Sequence, residues 1–82
     1  MYYTYVLKGS LNPSFYIGHS ADLKKRFKEH NNGKVSATKK GVPWGLIYYE
    51  AFLNLNNAKN RELKLKQRGR AWQELKRRIV SA

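Results

Sequence analysis

The stretch from Phe15 to His30 constrains the fold most, because it joins a strand signal to a helix signal through a single glycine. Its first residues are apolar and aromatic, which is typical of a strand. Gly18 is expected to end that run, where the backbone turns or comes close to another group. Ser20 is a favourable helix N-cap, so a helix is predicted from about Ala21 to His30. The stretch therefore predicts a strand, a turn and a helix in direct succession.

Four side chains of this unit suit phosphate chemistry. Tyr16 stands near the end of the predicted strand and His19 follows the glycine, while Arg26 and His30 are four residues apart and can point from one helix face at a common target. A guanidinium binds phosphate through a planar fork of donors, and an imidazole exchanges protons near neutral pH. Each also has a purely structural interpretation. Arg26 could be a solvated helix residue, and either histidine could be a surface or packed residue.

Composition narrows the class of protein. The chain has 82 residues, which fits one small domain with a modest core, and it has no cysteine for a disulfide framework or a thiolate metal site. Its net charge of +12 points to a polyanionic partner, usually nucleic acid, with solubility or an anionic membrane surface as the alternatives. No apolar run approaches a membrane span and no signal peptide is evident, so a cytoplasmic protein without a membrane partner is expected.

The remaining periodicities complete a fold. Residues 2–8 alternate as a strand, with Tyr3 and Tyr5 on one face, and they form an antiparallel hairpin with residues 14–18 across a turn at 9–13. Residues 34–45 read as a mobile loop beside the binding face, anchored by Trp44. A third strand is predicted at 46–53, and further helices at 57–67, capped by Asn54 or Asn56, and at 71–80. The sequence predicts an α+β fold: a small three-stranded, mainly antiparallel sheet, made of a β-hairpin and a third strand, flanked by three helices.

Glu62 is the most informative acidic residue. Leu55, Ala58, Glu62 and Leu65 fall on one stripe of the second helix, so a carboxylate stands in a core-facing row. A buried charge needs a partner, which is either a salt bridge to Arg26 or another basic residue, or a divalent metal. The two readings are equally supported, since Mg²⁺ commonly needs only one or two carboxylates.

Tyrosines of predicted strands are ordinarily core residues with the hydroxyl at the rim. Tyr2, Tyr48 and Tyr49 are assigned that role. Tyr5 and Tyr16 differ in position, because they lie where two adjacent strands meet the helix that follows. A tyrosine is a poor base unless a cation or a metal-bound water assists it.

Taken in order, Tyr3-Thr4-Tyr5, Tyr16-Ile17-Gly18, Arg26, His30 and Glu62 resemble the GIY-YIG endonuclease domain. More narrowly they resemble its small stand-alone bacterial-type members, related to the N-terminal nuclease domain of the nucleotide-excision-repair incision enzyme. The resemblance implies an endonuclease that hydrolyses DNA phosphodiester bonds, structure-directed or acting in repair or recombination, and it favours DNA over RNA. It implies one divalent metal, Mg²⁺ or Mn²⁺, bound by Glu62. The implied catalytic residues are Tyr5, Tyr16, Arg26, His30 and Glu62.

The alternative is a non-catalytic basic module that binds nucleic acid and keeps the nuclease fold. The first motif lacks the glycine and isoleucine of the family name, and no asparagine follows Glu62. Either reading needs cationic or polar side chains that contact nucleic acid. Those expected to do so are His19, Lys24, Lys25, Lys39, Lys40, Lys64, Lys66 and Arg68.

Overall fold

A computed structural model of the chain describes residues 1–11 and 14–80, so the predicted turn residues Asn12 and Pro13 lie outside the described residues. The predicted fold class is confirmed, because the described residues form a three-stranded antiparallel sheet and three α-helices. Within that part of the chain, no helix has the length and apolarity needed to cross a bilayer. The elements in order are β1 (Tyr2–Gly9), β2 (Phe15–Ser20), α1 (Leu23–Asn31), a 3-10 turn (Lys39–Gly41), β3 (Trp44–Phe52), α2 (Leu55–Lys66) and α3 (Arg70–Val80).

The sheet has the order β2-β1-β3, so β1 is central and β2 and β3 are its edges. Successive side chains of β1 point to opposite faces, as the alternation predicts. Tyr5 and Leu7 join Trp44 in one buried cluster, against which Leu23 and Phe27 of α1 pack. The sheet therefore forms a central layer, with α1 on one face.

The second face of the sheet is covered by α2 and α3. Val6 and Ile17 are buried there with Leu65 of α2 and with Trp72 and Leu75 of α3. Burying such side chains stabilises the fold by about 1.5–3 kcal/mol each before conformational entropy is subtracted. This packing fixes α2 against the sheet, and with it the direction in which the polar residues of α2 point.

Two predicted boundaries in the strand–helix unit are wrong. β2 continues through Gly18 to Ser20, because Gly18 pairs with Tyr5 of β1 inside the ladder. The helix begins at Leu23, since the side chain of Asp22 accepts a hydrogen bond from the backbone N–H of Lys25 (3.1 Å) and is the true N-cap. Ser20 instead closes a short turn by accepting from the backbone N–H of Asp22 (3.0 Å).

The segment predicted as a mobile loop is folded onto α1. Thr38 is 1% exposed, and its carbonyl accepts a hydrogen bond from the indole N–H of Trp44 (2.9 Å). The Asn31 side chain binds both the N–H and the C=O of Trp44, at 2.6 and 3.0 Å. Trp44 is the anchor that the sequence predicts, but it belongs to β3, which starts two residues earlier than expected. At the other junction Asn54 caps α2, which starts at Leu55.

Gly18 is required by a close approach inside the sheet. A Cβ atom at this position would lie 2.6 Å from the hydroxyl oxygen of Tyr5 and 2.8 Å from its ring carbon Cζ. Tyr5 is 1% exposed, so the ring has little room to move away. Gly45 of β3 offers a contrast, because its nearest contact would be a carbonyl oxygen at 3.8 Å.

We predict that Gly18→Ala lowers the free energy of unfolding by about 1–3 kcal/mol, the usual cost of overpacking a close-packed interior. The matched control, Gly45→Ala, changes it by no more than about 0.5 kcal/mol. Urea unfolding followed by circular dichroism measures both. Equal losses in the two variants would show that the Tyr5 ring does not depend on the missing side chain.

Candidate active site

Three buried side chains from three segments form a hydrogen-bonded chain on the α1 face of the sheet. His30 is 0% exposed, and its Nε2 lies 2.8 Å from the Tyr5 hydroxyl oxygen. Its Nδ1 lies 2.7 Å from the hydroxyl oxygen of Thr38. Both ring nitrogens are therefore satisfied, which fixes the orientation of the imidazole and of the tyrosine that it contacts.

The electrostatic surroundings set the protonation of this chain. Burial raises the pKa of Tyr5 to about 12, although the adjacent Arg26 guanidinium acts in the opposite direction. Burial also lowers the pKa of His30, and the charge of Arg26 adds to that effect while Glu29 opposes it. At neutral pH the tyrosine keeps its proton and the histidine is uncharged.

Arg26 supplies the positive charge beside this neutral pair. Burial works against its charge, but the hydrogen bond to Glu29 and the nearby Tyr5 hydroxyl outweigh burial and raise the pKa of Arg26. The Nη1 atom of Arg26 lies 3.2 Å from the Glu29 carboxylate, and 39% of the Arg26 side chain is exposed. The predicted convergence of Arg26 and His30 is found, with Tyr5 as the shared neighbour.

Tyr16 stands next to this chain with its hydroxyl uncommitted. Its ring centroid is 5.0 Å from that of His30 and 6.5 Å from that of Trp44. Within residues 1–11 and 14–80, the Tyr16 hydroxyl makes no hydrogen bond. The ammonium of Lys66 lies 5.9 Å from the centroid of the Tyr16 ring. Of the two predicted tyrosines, Tyr16 is therefore the one free to contact another molecule.

Glu62 holds two basic groups with one carboxylate. Its side chain is 13% exposed, and its two oxygens contact Nδ1 of His19 and the ammonium of Lys66. The salt bridge predicted for this residue is thus present, but its partners are Lys66 and His19, whereas Arg26 pairs with Glu29. Glu62 also borders a small cavity of about 180 Å³, together with His19, Lys59 and Leu63. Leu55, expected in the same buried row, is 37% exposed.

The edge strand β2 brings the two groups together. Gly18 passes beneath the Tyr5 hydroxyl on the α1 face, and the next residue, His19, reaches Glu62 on the α2 face. Lys66 contacts Glu62 and also lies beside Tyr16, so it spans the same edge. Tyr5, Tyr16, Arg26, His30 and Glu62 therefore border one edge of the sheet, although no single face carries all of them.

The donors at this edge fit a divalent cation held by one carboxylate. Glu62 already faces two basic groups and a cavity, which marks a position where positive charge is stabilised. In the described part of the chain no three His, Asp or Glu side chains gather to enclose a metal. A single carboxylate does not suit a closed structural metal site, and a divalent ion held here would need oxygen ligands from outside the protein.

The predicted nucleic-acid-binding residues divide into three groups. His19 and Lys66 are bound to Glu62 and belong to the site itself. Arg68 is used by the fold, because its guanidinium lies 4.8 Å from the Trp72 ring centroid and donates to the carbonyl of Phe15 (3.4 Å). The remaining five are exposed on α1, the 3-10 turn and α2: Lys24, Lys25, Lys39, Lys40 and Lys64.

Sequence reasoning missed two residues of the site. Lys59 borders the cavity at Glu62, and its position three residues earlier on the same helix was a usable signal. No comparable sequence pattern indicates Thr38, because its contact with His30 depends on how residues 34–43 fold back onto α1.

The buried imidazole predicts a pH dependence of stability. The pKa of His30 in the folded chain lies below its ordinary value of 6.5, so near and below pH 6.5 the unfolded chain binds a proton that the folded chain does not. Stability is full above pH 6.5 and falls as the pH drops towards the folded pKa. We expect His30→Gln to remove this part of the decrease between about pH 7.5 and pH 5, measured by urea unfolding. The control His19→Gln should retain it; an unchanged decrease in His30→Gln would contradict the assignment.

Comparisons with known proteins agree with this geometry. A family model described as the GIY-YIG catalytic domain matches residues 1–77. A UPF0213 protein of Streptococcus pyogenes serotype M3 is 38% identical over 74 residues, covering 89% of this chain and 79% of the relative. A UPF0213 protein of Clostridium perfringens is 40% identical over 68 residues, covering 82% of this chain and 72% of the relative.

A solved structure extends the likeness to the fold. The solution NMR structure of a UPF0213 protein from Bacillus halodurans matches with a TM-score of 0.57 and 28% identity, covering 98% of this chain and 86% of that one. The names of these three proteins state no activity. Through its family match and its small UPF0213 relatives, this chain belongs to the GIY-YIG domain family.

Proposed function

We propose that the chain is a metal-dependent endonuclease that hydrolyses phosphodiester bonds. The observation that carries the proposal is the meeting of Tyr16, the Tyr5–His30 pair, Arg26 and Glu62 at one edge of the sheet, on a chain with a net charge of +12. Such an edge presents a phosphodiester with the Glu62 carboxylate, the Arg26 guanidinium and the uncommitted Tyr16 hydroxyl. Membership of a nuclease family supports the same reaction.

The residues of the site have separable tasks in this reaction. Arg26 is cationic and 39% exposed, so it can offset the negative charge that develops on the non-bridging oxygens. Tyr16 can orient the attacking water through its uncommitted hydroxyl. Burial raises the pKa of Tyr5 to about 12, so at neutral pH Tyr5 is protonated and cannot accept a proton without passing on its own. We therefore assign Tyr5 and His30 to holding the neighbouring groups in position, with any proton that Tyr5 accepts balanced by transfer of its own proton to His30.

Glu62 is the residue that would hold the metal. Bound there, a divalent ion would stabilise the leaving oxygen and lower the pKa of a coordinated water. Glu62 must first release at least part of its contact with Lys66 or His19, both of which then face the substrate. The ammonium of Lys66 is in place to contact a phosphate once it leaves the carboxylate.

A binding module without cleavage is the second candidate. It is favoured by one observation, namely that His19 and Lys66 already satisfy both oxygens of Glu62. In this case the edge is a stable ion-pair cluster, and the exposed lysines alone account for affinity to nucleic acid. The two functions differ in whether Glu62 is needed for catalysis or only for structure.

The finer assignments rest on the sequence. DNA is the proposed substrate in preference to RNA, with a structure-directed role in repair or recombination and a cytoplasmic location. A single module of this size contacts little nucleic acid, on the order of 600–1,000 Å². We therefore propose that substrate shape, more than base sequence, decides where it cuts.

The decisive test is cleavage of plasmid, nicked and branched DNA with Mg²⁺ or Mn²⁺ by Glu62→Gln. This substitution keeps the volume and removes the charge, and we expect cleavage to fall at least about 100-fold, the scale seen when a group that stabilises transition-state charge is lost. The matched control is Glu74→Gln, because Glu74 pairs with Arg70 on the exposed face of α3 and should retain full activity.

Cleavage separates the two candidates, and affinity shows whether the variant still binds. For the nuclease, Glu62→Gln binds DNA as tightly as the wild type, or more tightly, because only negative charge is lost. If neither protein cuts any of these substrates while both bind with steep salt dependence, the binding module is correct. Equal cutting by wild type and Glu62→Gln would remove Glu62 from the mechanism.

A further inference from the structure

A groove separate from the active-site edge opens between α1 and β3. Its volume is about 500 Å³, and its lining is mainly apolar. Leu23 and Phe27 of α1 form one wall, and Leu46 and Tyr49 of β3 form the other, with Tyr3 of β1 at the end. The described residues leave this apolar surface open to solvent.

Two tyrosines make the groove unusual. The rings of Tyr3 and Tyr49 meet edge to face, with centroids 6.0 Å apart and an angle of 66° between their planes. Tyr49 is 55% exposed, so its expected role as a packing residue is wrong. A large aromatic ring that contacts a neighbouring ring and is open to solvent is the arrangement on which an unpaired nucleobase stacks.

Positive charge adjoins the groove directly. A second cavity of about 440 Å³ shares Asp22 and Lys24 with it, and its other cationic side chains are Lys25, Lys28 and Lys34. Within residues 1–11 and 14–80 none of these four lysines forms an ion pair. The acids nearby are committed, since Asp22 caps α1 and Glu29 binds Arg26. An apolar aromatic groove thus continues into an unneutralised basic one.

We propose that this pair of cavities binds a single-stranded segment of nucleic acid, with one unpaired base on Tyr49 in the groove and the adjoining phosphates against the lysines. Charge complementarity selects this occupant over a neutral peptide or a lipid tail, since apolar and cationic surfaces alternate over a short distance. The mainly apolar groove and its basic neighbour match the two parts of a nucleotide.

The position of the groove links it to the active-site edge. Tyr3 and Tyr5 project from the same face of β1 and are two residues apart, which is roughly 7 Å along a strand. An unpaired nucleotide held at Tyr3 and Tyr49 would lie close to the Tyr5–His30 pair. This link between the groove and the Tyr5–His30 pair rests on the proposed function. It implies that the substrate is a junction between duplex and single strand. Binding of the single strand does not itself require cleavage.

Binding is tested in EDTA, so that cleavage plays no part, by fluorescence anisotropy of a labelled single-stranded oligonucleotide and of its duplex. We expect Tyr49→Leu, which keeps apolar bulk without the ring, to weaken single-strand binding about tenfold. Tyr49→Phe should stay near the wild type, and duplex binding should not change. Tyr2→Leu is the matched control, because it makes the same change on the opposite face of β1.

A second measurement needs no variant. A 2-aminopurine base in the single strand should lose fluorescence on binding to the wild-type protein, as it does when it stacks on an aromatic ring. An undiminished signal, or a loss of affinity in Tyr49→Leu shared equally by single strand and duplex, overturns the proposal. It is likewise overturned if the wild type is a dimer that Tyr49→Leu separates, because a second copy then covers the groove.

The outcome is independent of the nuclease assignment. Glu62→Gln should keep the Tyr49-dependent preference for single strands even if cleavage is never detected. Conversely, if cleavage depends on Glu62 while single-strand binding is unchanged in Tyr49→Leu, the groove proposal is wrong and the nuclease proposal stands.

Discussion

The contact between the Tyr5 ring and the backbone of Gly18 is the constraint on which the rest of the site depends. The hydroxyl of a tyrosine on the central strand reaches the edge strand only because the residue opposite it has no side chain. In this position the hydroxyl forms a hydrogen bond with His30, and His30 in turn forms a hydrogen bond with Thr38. One missing Cβ atom thus connects the buried core to the edge where Tyr16, Arg26 and Glu62 lie.

The few acidic residues of the chain are all used by the fold. The chain has five acidic residues, and each has a structural partner. Asp22 caps α1, Glu29 holds Arg26, Glu50 holds Arg61, Glu62 holds His19 and Lys66, and Glu74 holds Arg70. Among the residues that the structure describes, most lysine and arginine side chains pair with no acid, so the protein surface favours polyanions.

Much of this arrangement was predictable from local patterns. The alternation in β1 predicted which face Tyr5 takes, and helical spacing predicted that Glu62 lies in a core-facing row and that Arg26 and His30 point at one target. These inferences succeed because the periods of strands and helices are fixed by backbone geometry. They fail at the ends of elements, where Asp22 and not Ser20 proved to be the cap, because two residues close together in the chain can each accept a hydrogen bond from a free N–H.

The parts that could not be predicted depend on distant packing. Thr38 became part of the site only when residues 34–43 folded onto α1, and nothing near Thr38 in the sequence indicates His30. Tyr49 reads as an ordinary strand tyrosine, and its exposure follows from α1 covering only part of that face of the sheet. Lys66 reads as one lysine in a basic run, yet it is the group that connects Glu62 to Tyr16.

The central claim is that Glu62, Gly18 and the two tyrosines border one cation site at the β2 edge. Substoichiometric Mn²⁺ added to isotopically labelled protein tests it most directly, because the ion broadens only the NMR signals of nearby nuclei. The account predicts broadening centred on Glu62, His19 and Gly18, extending to Tyr16, and abolished in Glu62→Gln. Broadening centred on Asp22 or Glu29, or unchanged by that substitution, would contradict it.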